Sequence, residues 1–204
     1  MLDLFFKQLA QTSWVEWLGM VAGITGVWQS IKERHTAWPL FIICYCCYVY
    51  ISFKGGLHAF MGMNIVFIAI SLYGWRKWTR PSSQSKTQLP VSHTPKAIWP
   101  WLLALLVLGT AGIGYLLHSL GEANMPYLDA FATSCGLIAQ WMLSRKHIEN
   151  WLWWIASDLV YLSWFVMNSS IPSMILFTVF IGLAIKGWRD WKKGLISAAT
   201  APAV

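Results

Sequence analysis

Long apolar runs dominate the chain, interrupted by short stretches where Lys, Arg, Pro, Asn and Gly collect. A helix that crosses a bilayer needs about 20 mostly apolar residues, with roughly 17 to 25 the working range. Seven runs approach or meet that length, at 14–31, 37–53, 58–75, 98–117, 129–144, 150–167 and 171–188. The pattern predicts an all-α membrane protein with seven transmembrane helices.

The chain states most of this pattern twice. Adding 113 to a residue number takes Trp38 to Trp151, Tyr48 to Tyr161, Phe67 to Phe180, Gly74 to Gly187, Trp75 to Trp188, Arg76 to Arg189 and Trp78 to Trp191. Continued backwards without a gap, the offset pairs Lys32 with Arg145, Trp28 with Trp141, Gly23 with Gly136 and Glu16 with Asp129. A single offset joining so many rare residue types marks an internal duplication. Two three-span units joined directly would point in opposite directions, because three is odd. The run at 98–117 supplies the extra span that restores a common direction. The expected architecture is a 3+1+3 parallel repeat, its halves related by an axis along the membrane normal with a pathway between them. The expected organisation is a first three-helix repeat over 1–78, a cytoplasmic linker over 79–97, a linking helix over 98–117, a second repeat over 118–193 and a disordered tail over 194–204. The Ser/Thr/Pro-rich linker holds too little apolar content to pack, so His93 is expected to be a solvated linker residue.

Charge sets the orientation. With seven spans, one side receives 13 of the 15 Lys and Arg, and the other only Lys7 and Lys54. Basic residues accumulate in short cytoplasmic loops, so the C-terminus is expected in the cytoplasm and the N-terminus outside. The start, MLDLFFKQLAQTS, has no small-residue cleavage site and does not resemble a signal peptide. Composition agrees with a bilayer: 57% of residues are hydrophobic and 11% charged, against about 25% charged in ordinary soluble domains. The net charge of +7 does not indicate a nucleic-acid partner, because no soluble face is long enough to carry a basic patch.

Candidate chemistry is sparse. Cys44, Cys46, Cys47 and Cys135 lie in apolar segments without the spacing or His partners of a zinc site. No nucleophile with a base, metal cluster or phosphate loop is evident, so neither catalysis nor a metal or cofactor is expected. An ionisable residue inside a span is expensive and by default marks function. Asp158 alone sits near the middle of a span, where the offset sets Tyr45 opposite it. Helical spacing puts Trp151, Trp154, Asp158 and Tyr161 on one stripe, matched in the sister helix by Trp38, Phe41, Tyr45 and Tyr48. Such a stripe can be simple packing. An anion among electron-rich rings is also what a cationic heterocycle requires. Asn64 and Gln140 could serve a ligand's hydroxyls or bond across helices.

The Trp-Pro opening of the second span, LYGWRKW closing the third, SRKHIENWLWW entering the sixth and KGWRDW closing the seventh resemble the PnuC vitamin transporters over most of residues 14–193. The resemblance implies the 3+1+3 fold related to SWEET sugar facilitators. It also implies facilitated uptake of nicotinamide riboside across the cytoplasmic (inner) membrane, with trapping by phosphorylation, and relatives that carry thiamine or riboflavin. The binding residues it implies include Trp38, Asn64, Gln140, Trp151, Trp154, Asp158 and Tyr161, with Tyr45 and Tyr48 as secondary candidates. The expected partners are a small-molecule vitamin and the lipid bilayer, and a homo-oligomer is compatible with the sequence. A membrane enzyme, the alternative from another class, would need a catalytic constellation that is absent. An ion channel would want rings of like charge or a carbonyl filter.

Overall fold

With no water to satisfy backbone groups, a chain in lipid must bond internally, which selects helices. The computed structural model describes residues 8, 10–80 and 89–200. Among these, seven helices of 18 residues or more follow one another: α1 Trp14–Ile31, α2 Ala37–Lys54, α3 His58–Thr79, α4 Trp99–Leu120, α5 Pro126–Ser144, α6 Asn150–Met167 and α7 Ile171–Thr200. A short 3-10 turn, Lys96–Ile98, leads into α4.

Local chemistry fixes the helix ends. Ser13 and Glu16 form a reciprocal capping box on α1, in which the Ser13 N–H donates to Glu16 Oε2 at 2.6 Å and the Glu16 N–H donates to Ser13 Oγ at 3.3 Å. The start of α3 has no cap of its own. Glu122, distant in sequence, accepts from the Ala59 N–H at 2.8 Å and brings negative charge to that positive helix end. Gly121, with φ of 64°, supplies the left-handed turn that ends α4.

The helices pack as two runs, α1–α2–α3 and α5–α6–α7, with α3 against α5 and α1 against α7. α4 lies mainly against α5 and leaves Trp101, Leu103, Val107 and Leu108 exposed on the outside. Four segments, Ala37–Lys54, His58–Thr79, Lys96–Leu120 and Ile171–Ser197, are long and apolar enough by themselves to cross a membrane. The remaining three helices fall short of that measure and carry polar residues among their apolar ones. α5 shows why they can: Ala130, Ala132 to Gly136, Ile138 to Gln140 and Met142 to Ser144 are all buried, so its polar groups meet protein instead of lipid.

Residues 113 apart occupy equivalent places. Glu33 and Lys146, which end the first helix of each half, have φ of 54° and 55°; Gly56 and Ser169 have 70° and 54°. The Trp38 indole meets Trp78 edge-on at 5.3 Å, as Trp151 meets Trp191. A Cβ at Gly74 would overlap the Trp38 ring, and one at Gly187 the Trp151 ring. Glycine there lets α3 close on α2, and α7 on α6. The Trp78 Nε1–H donates to the Ser144 carbonyl at 3.2 Å and the Trp191 Nε1–H to the Ile31 carbonyl at 3.1 Å, so each half holds the first helix of the other.

Two expectations change. α7 continues to Thr200, past 194 where a disordered tail was expected; residues 201–204 lie outside the described residues. The part of the linker that is described, from residue 89, packs against the bundle. Leu89 and Val91 lie against the buried cluster of Trp38, Trp78, Trp151 and Trp191. Ser92 exchanges backbone hydrogen bonds of 3.0 Å with Lys146 and Ile148. Glu149 accepts from the Thr94 N–H at 2.9 Å and Oγ1–H at 2.7 Å, and lies 2.8 Å from His93 Nδ1. Two apolar side chains and a row of hydrogen bonds therefore suffice to dock a segment whose average composition is that of a loose tether.

Candidate functional site

A cavity of about 500 Å³ lies between the two halves, within the range usual for small-molecule sites. Its lining runs from Thr12, Glu16, Tyr48, Pro172 and Ser173 at one end of the bundle to Ser30, Leu143, Trp151 and Ala184 toward the other. That second end carries the basic turns, and there Trp38, Trp78 and Trp191 are buried in one cluster with the lining residue Trp151. Small residues admit the rings that shape the middle. Phe67 reaches within 3.3 Å of where a Cβ would stand at Gly136, and Phe180 within 3.7 Å at Gly23. Both glycines and both phenylalanines are repeat partners, so the two halves meet at mid-depth in a reciprocal way.

The walls differ chemically. From the first half come Phe41, Tyr45 and Phe67; Tyr45 and Phe67 stack at 4.9 Å and 17°, and Tyr45 stacks with Phe41 at 6.4 Å and 26°. From the second come Thr133, Ser157, Asp158 and Tyr161 beside Trp154. Thr133 Oγ1 lies 3.2 Å from the Tyr161 hydroxyl, and the Ser157 hydroxyl donates to the Ala132 carbonyl at 2.8 Å. Asp158 is 6% exposed, and among the described residues no hydrogen bond or ion pair engages its carboxyl group. Among the described residues no Lys, Arg or His lines the cavity, whereas Asp158 and, at the mouth, Glu16 do. The site can therefore accept a flat, positively charged group between rings, with hydroxyls from Thr133, Ser157 and Tyr161 nearby.

Among the candidates from sequence, Asn64, Trp151, Trp154, Asp158, Tyr161, Tyr45 and Tyr48 all line this cavity. The Asn64 amide nitrogen donates to the Phe60 carbonyl one turn back at 2.8 Å. Trp38 and Gln140 are not in the lining. Trp38 is fully buried behind Phe41, 5.9 Å between ring centres. Gln140 is fully buried in the contact of α5 with α3, donating to Ser71 Oγ at 3.1 Å, with its Oε1 unpartnered. Thr133, Ser157 and Glu16 line the cavity without having been singled out as its residues. Thr133 precedes the repeat glycine Gly136 by three positions and so shares its helix face, a signal already in the sequence.

A family model described as nicotinamide mononucleotide transporter matches residues 13–193. The chain belongs to that family. Among proteins similar to it, the nicotinamide riboside transporter PnuC of Escherichia coli (strain K12) is 22% identical over 204 residues, covering 88% of this chain and 85% of the relative. The protein of the same name from Neisseria mucosa is 25% identical over 191 residues, covering 87% of this chain and 72% of the relative. The riboflavin/roseoflavin transporter RibM of Streptomyces davaonensis is 23% identical over 180 residues, covering 87% and 84%. The fold matches a crystal structure of the vitamin B3 transporter PnuC with a TM-score of 0.72 at 20% identity, over 96% of this chain and 90% of that one. A member of this family is a membrane transporter for a small molecule and not an enzyme, and the cavity between the halves is the candidate site for such a molecule.

Proposed function

We propose that the protein carries nicotinamide riboside across the cytoplasmic membrane by facilitated diffusion, and that phosphorylation on the cytoplasmic side traps the vitamin. The observation that carries this reading is Asp158: among the described residues it is a buried carboxyl group with no protein partner, in an aromatic-walled cavity whose lining holds no basic side chain. A buried carboxylate without a counterion is costly, and a pyridinium cation would supply the missing charge. Rings such as Trp154, Tyr45 and Phe67 suit the flat face of that cation, while Asn64, Thr133 and Tyr161 suit ribose hydroxyls. With the basic end of the bundle in the cytoplasm, the cavity faces the outside through Thr12, Glu16 and Ser173.

Thiamine, also a cationic aromatic, is the competing cargo. Riboflavin, the cargo named for one relative, is neutral and gains nothing from Asp158. A binding titration of purified protein against the three vitamins separates the cases. Nicotinamide riboside should bind most tightly and riboflavin most weakly; tighter binding of riboflavin would overturn the proposal, and tighter binding of thiamine would replace the cargo.

A further inference from the structure

The turns that end the first helix of each half meet each other. Glu33 and Lys146 are repeat partners 113 residues apart, and Lys146 Nζ donates to Glu33 Oε2 at 2.8 Å. Under a two-fold relation a position touches its own equivalent only where it lies on the axis. Identical residues at such a place would set like charges against each other; in this chain one copy is an acid and the other a base. Both residues have left-handed backbone, unusual for side chains with a Cβ. Lys146 is 2% exposed and its Nζ lies 4.8 Å from the centre of the Trp78 ring, so the ammonium is held in a dry setting with Glu33 as its counterion.

The location gives the pair its meaning. Ile31 and Ser144, two residues before Glu33 and Lys146, are the acceptors of the two reciprocal Trp–carbonyl bonds between halves. Ser30 and Leu143, one residue earlier again, line the closed end of the cavity. The linker covers the same place, because Ser92 pairs with the backbone on both sides of His147. A path from the cavity to the basic end must therefore part the halves at this point.

We propose that Glu33 and Lys146 form the latch that holds the basic end of the transporter shut, and that the pair must separate in each transport cycle. The latch rests on the transport reading but not on which vitamin is carried. Neutralising either partner removes the charge-assisted contact between the halves and shifts the resting protein toward a state open at the basic end; Glu33→Gln also leaves the buried Lys146 ammonium without its counterion.

Cys44 lines the cavity and reports that opening. In protein with Cys46, Cys47 and Cys135 replaced by Ser, a membrane-impermeant thiol reagent is applied from the basic side of sealed vesicles, without any vitamin. With the latch intact, Cys44 should react slowly. In Glu33→Gln or Lys146→Gln it should react at least about tenfold faster, the scale expected for losing a charge-assisted contact. Lys146→Arg, and the exchange of Glu33→Lys with Lys146→Glu, should restore slow reaction. A cooperative thermal unfolding transition in detergent reports an intact fold for each variant. If Lys146→Gln does not fold, Glu33→Gln decides alone, since that residue is the more exposed of the pair. The latch is ruled out if the folded neutral variants react no faster, or if the exchange reacts as fast as they do. Failure to transport any of the three vitamins would remove the function proposed above and leave this result standing.

Discussion

At the scale of single residues, the sharpest expectation concerns Asp158. Asp158→Asn keeps the shape but removes the charge, so affinity for a cationic vitamin should fall by about 1 to 3 kcal/mol, the cost of leaving a buried polar partner unsatisfied. Binding of neutral riboflavin should hardly change. Equal binding of the cation by the folded variant would make Asp158 a structural residue and leave recognition to the rings. The glycines under the tryptophans test packing instead. Gly74→Ala drives a methyl group into the Trp38 ring, and overpacking of this kind costs about 1 to 3 kcal/mol. The gain in helix propensity, about 1 kcal/mol, is too small to offset it. Gly182, also in a helix, has nothing within 4 Å of its would-be Cβ, so Gly182→Ala should be neutral or stabilising. Thermal unfolding in detergent distinguishes the two, and a Gly74→Ala protein as stable as Gly182→Ala would refute the close approach.

At the scale of elements, the docked linker should respond to acid. Burial alone would raise the pKa of Glu149, but hydrogen bonds from Thr94 and His93 outweigh it and hold the carboxyl below its ordinary value. Burial pushes His147 down, as do Arg145 and Lys77, against the opposing charge of Glu149. Both shifts favour the closed linker in the same direction. A depressed carboxyl contributes stability above its unfolded value and loses it as pH falls through the folded one; a depressed imidazole is held neutral and resists protonation until pH falls below its usual range. Docking should thus be complete at neutral pH, weaken first as His147 protonates and then again as Glu149 does. Protection from hydrogen exchange at Ser92 and Ile148, whose N–H groups make the linker bonds, should decrease over that fall once the intrinsic slowing of exchange in acid is divided out. Unchanged protection down to the acid range would show that Leu89 and Val91 alone hold the segment.

For the molecule as a whole, the repeat and the charge asymmetry lead to one topology. A reporter fused after Val204 should read cytoplasmic, and one inserted at Gly121 to Ala123, between α4 and α5, should read external. Reporters on the same side would contradict a seven-span parallel repeat. The asymmetry of the closed ends belongs to this scale too. The cavity extends to the ends of α1 and α7 near Glu16 and Ser173, while Trp38, Trp78 and Trp191 are buried toward the basic end, where Lys146 pairs with Glu33. In the proposed transport cycle this arrangement is one of two discrete packings of the halves, the other being open at the basic end.

The spans, their order and the duplication were determined by sequence alone, because apolar run length is a local property and the offset of 113 survives in residue identity. Trp154, Asp158 and Tyr161 could be placed on one face for the same reason: spacing of three and four is fixed by the helix itself. Which way that face turns depends on neighbours far away in the chain. Trp38 and Trp151 hold the same place in the repeat, yet only Trp151 reaches the cavity lining, and Gln140 points to Ser71 because α3 stands there. The linker's average composition hid the two side chains that dock it, since docking depends on where Leu89 and Val91 meet a surface and not on how many apolar residues the segment has. The pairing of Glu33 with Lys146 is beyond any single-helix pattern: two residues at the ends of different helices touch only once both halves are folded about a common axis.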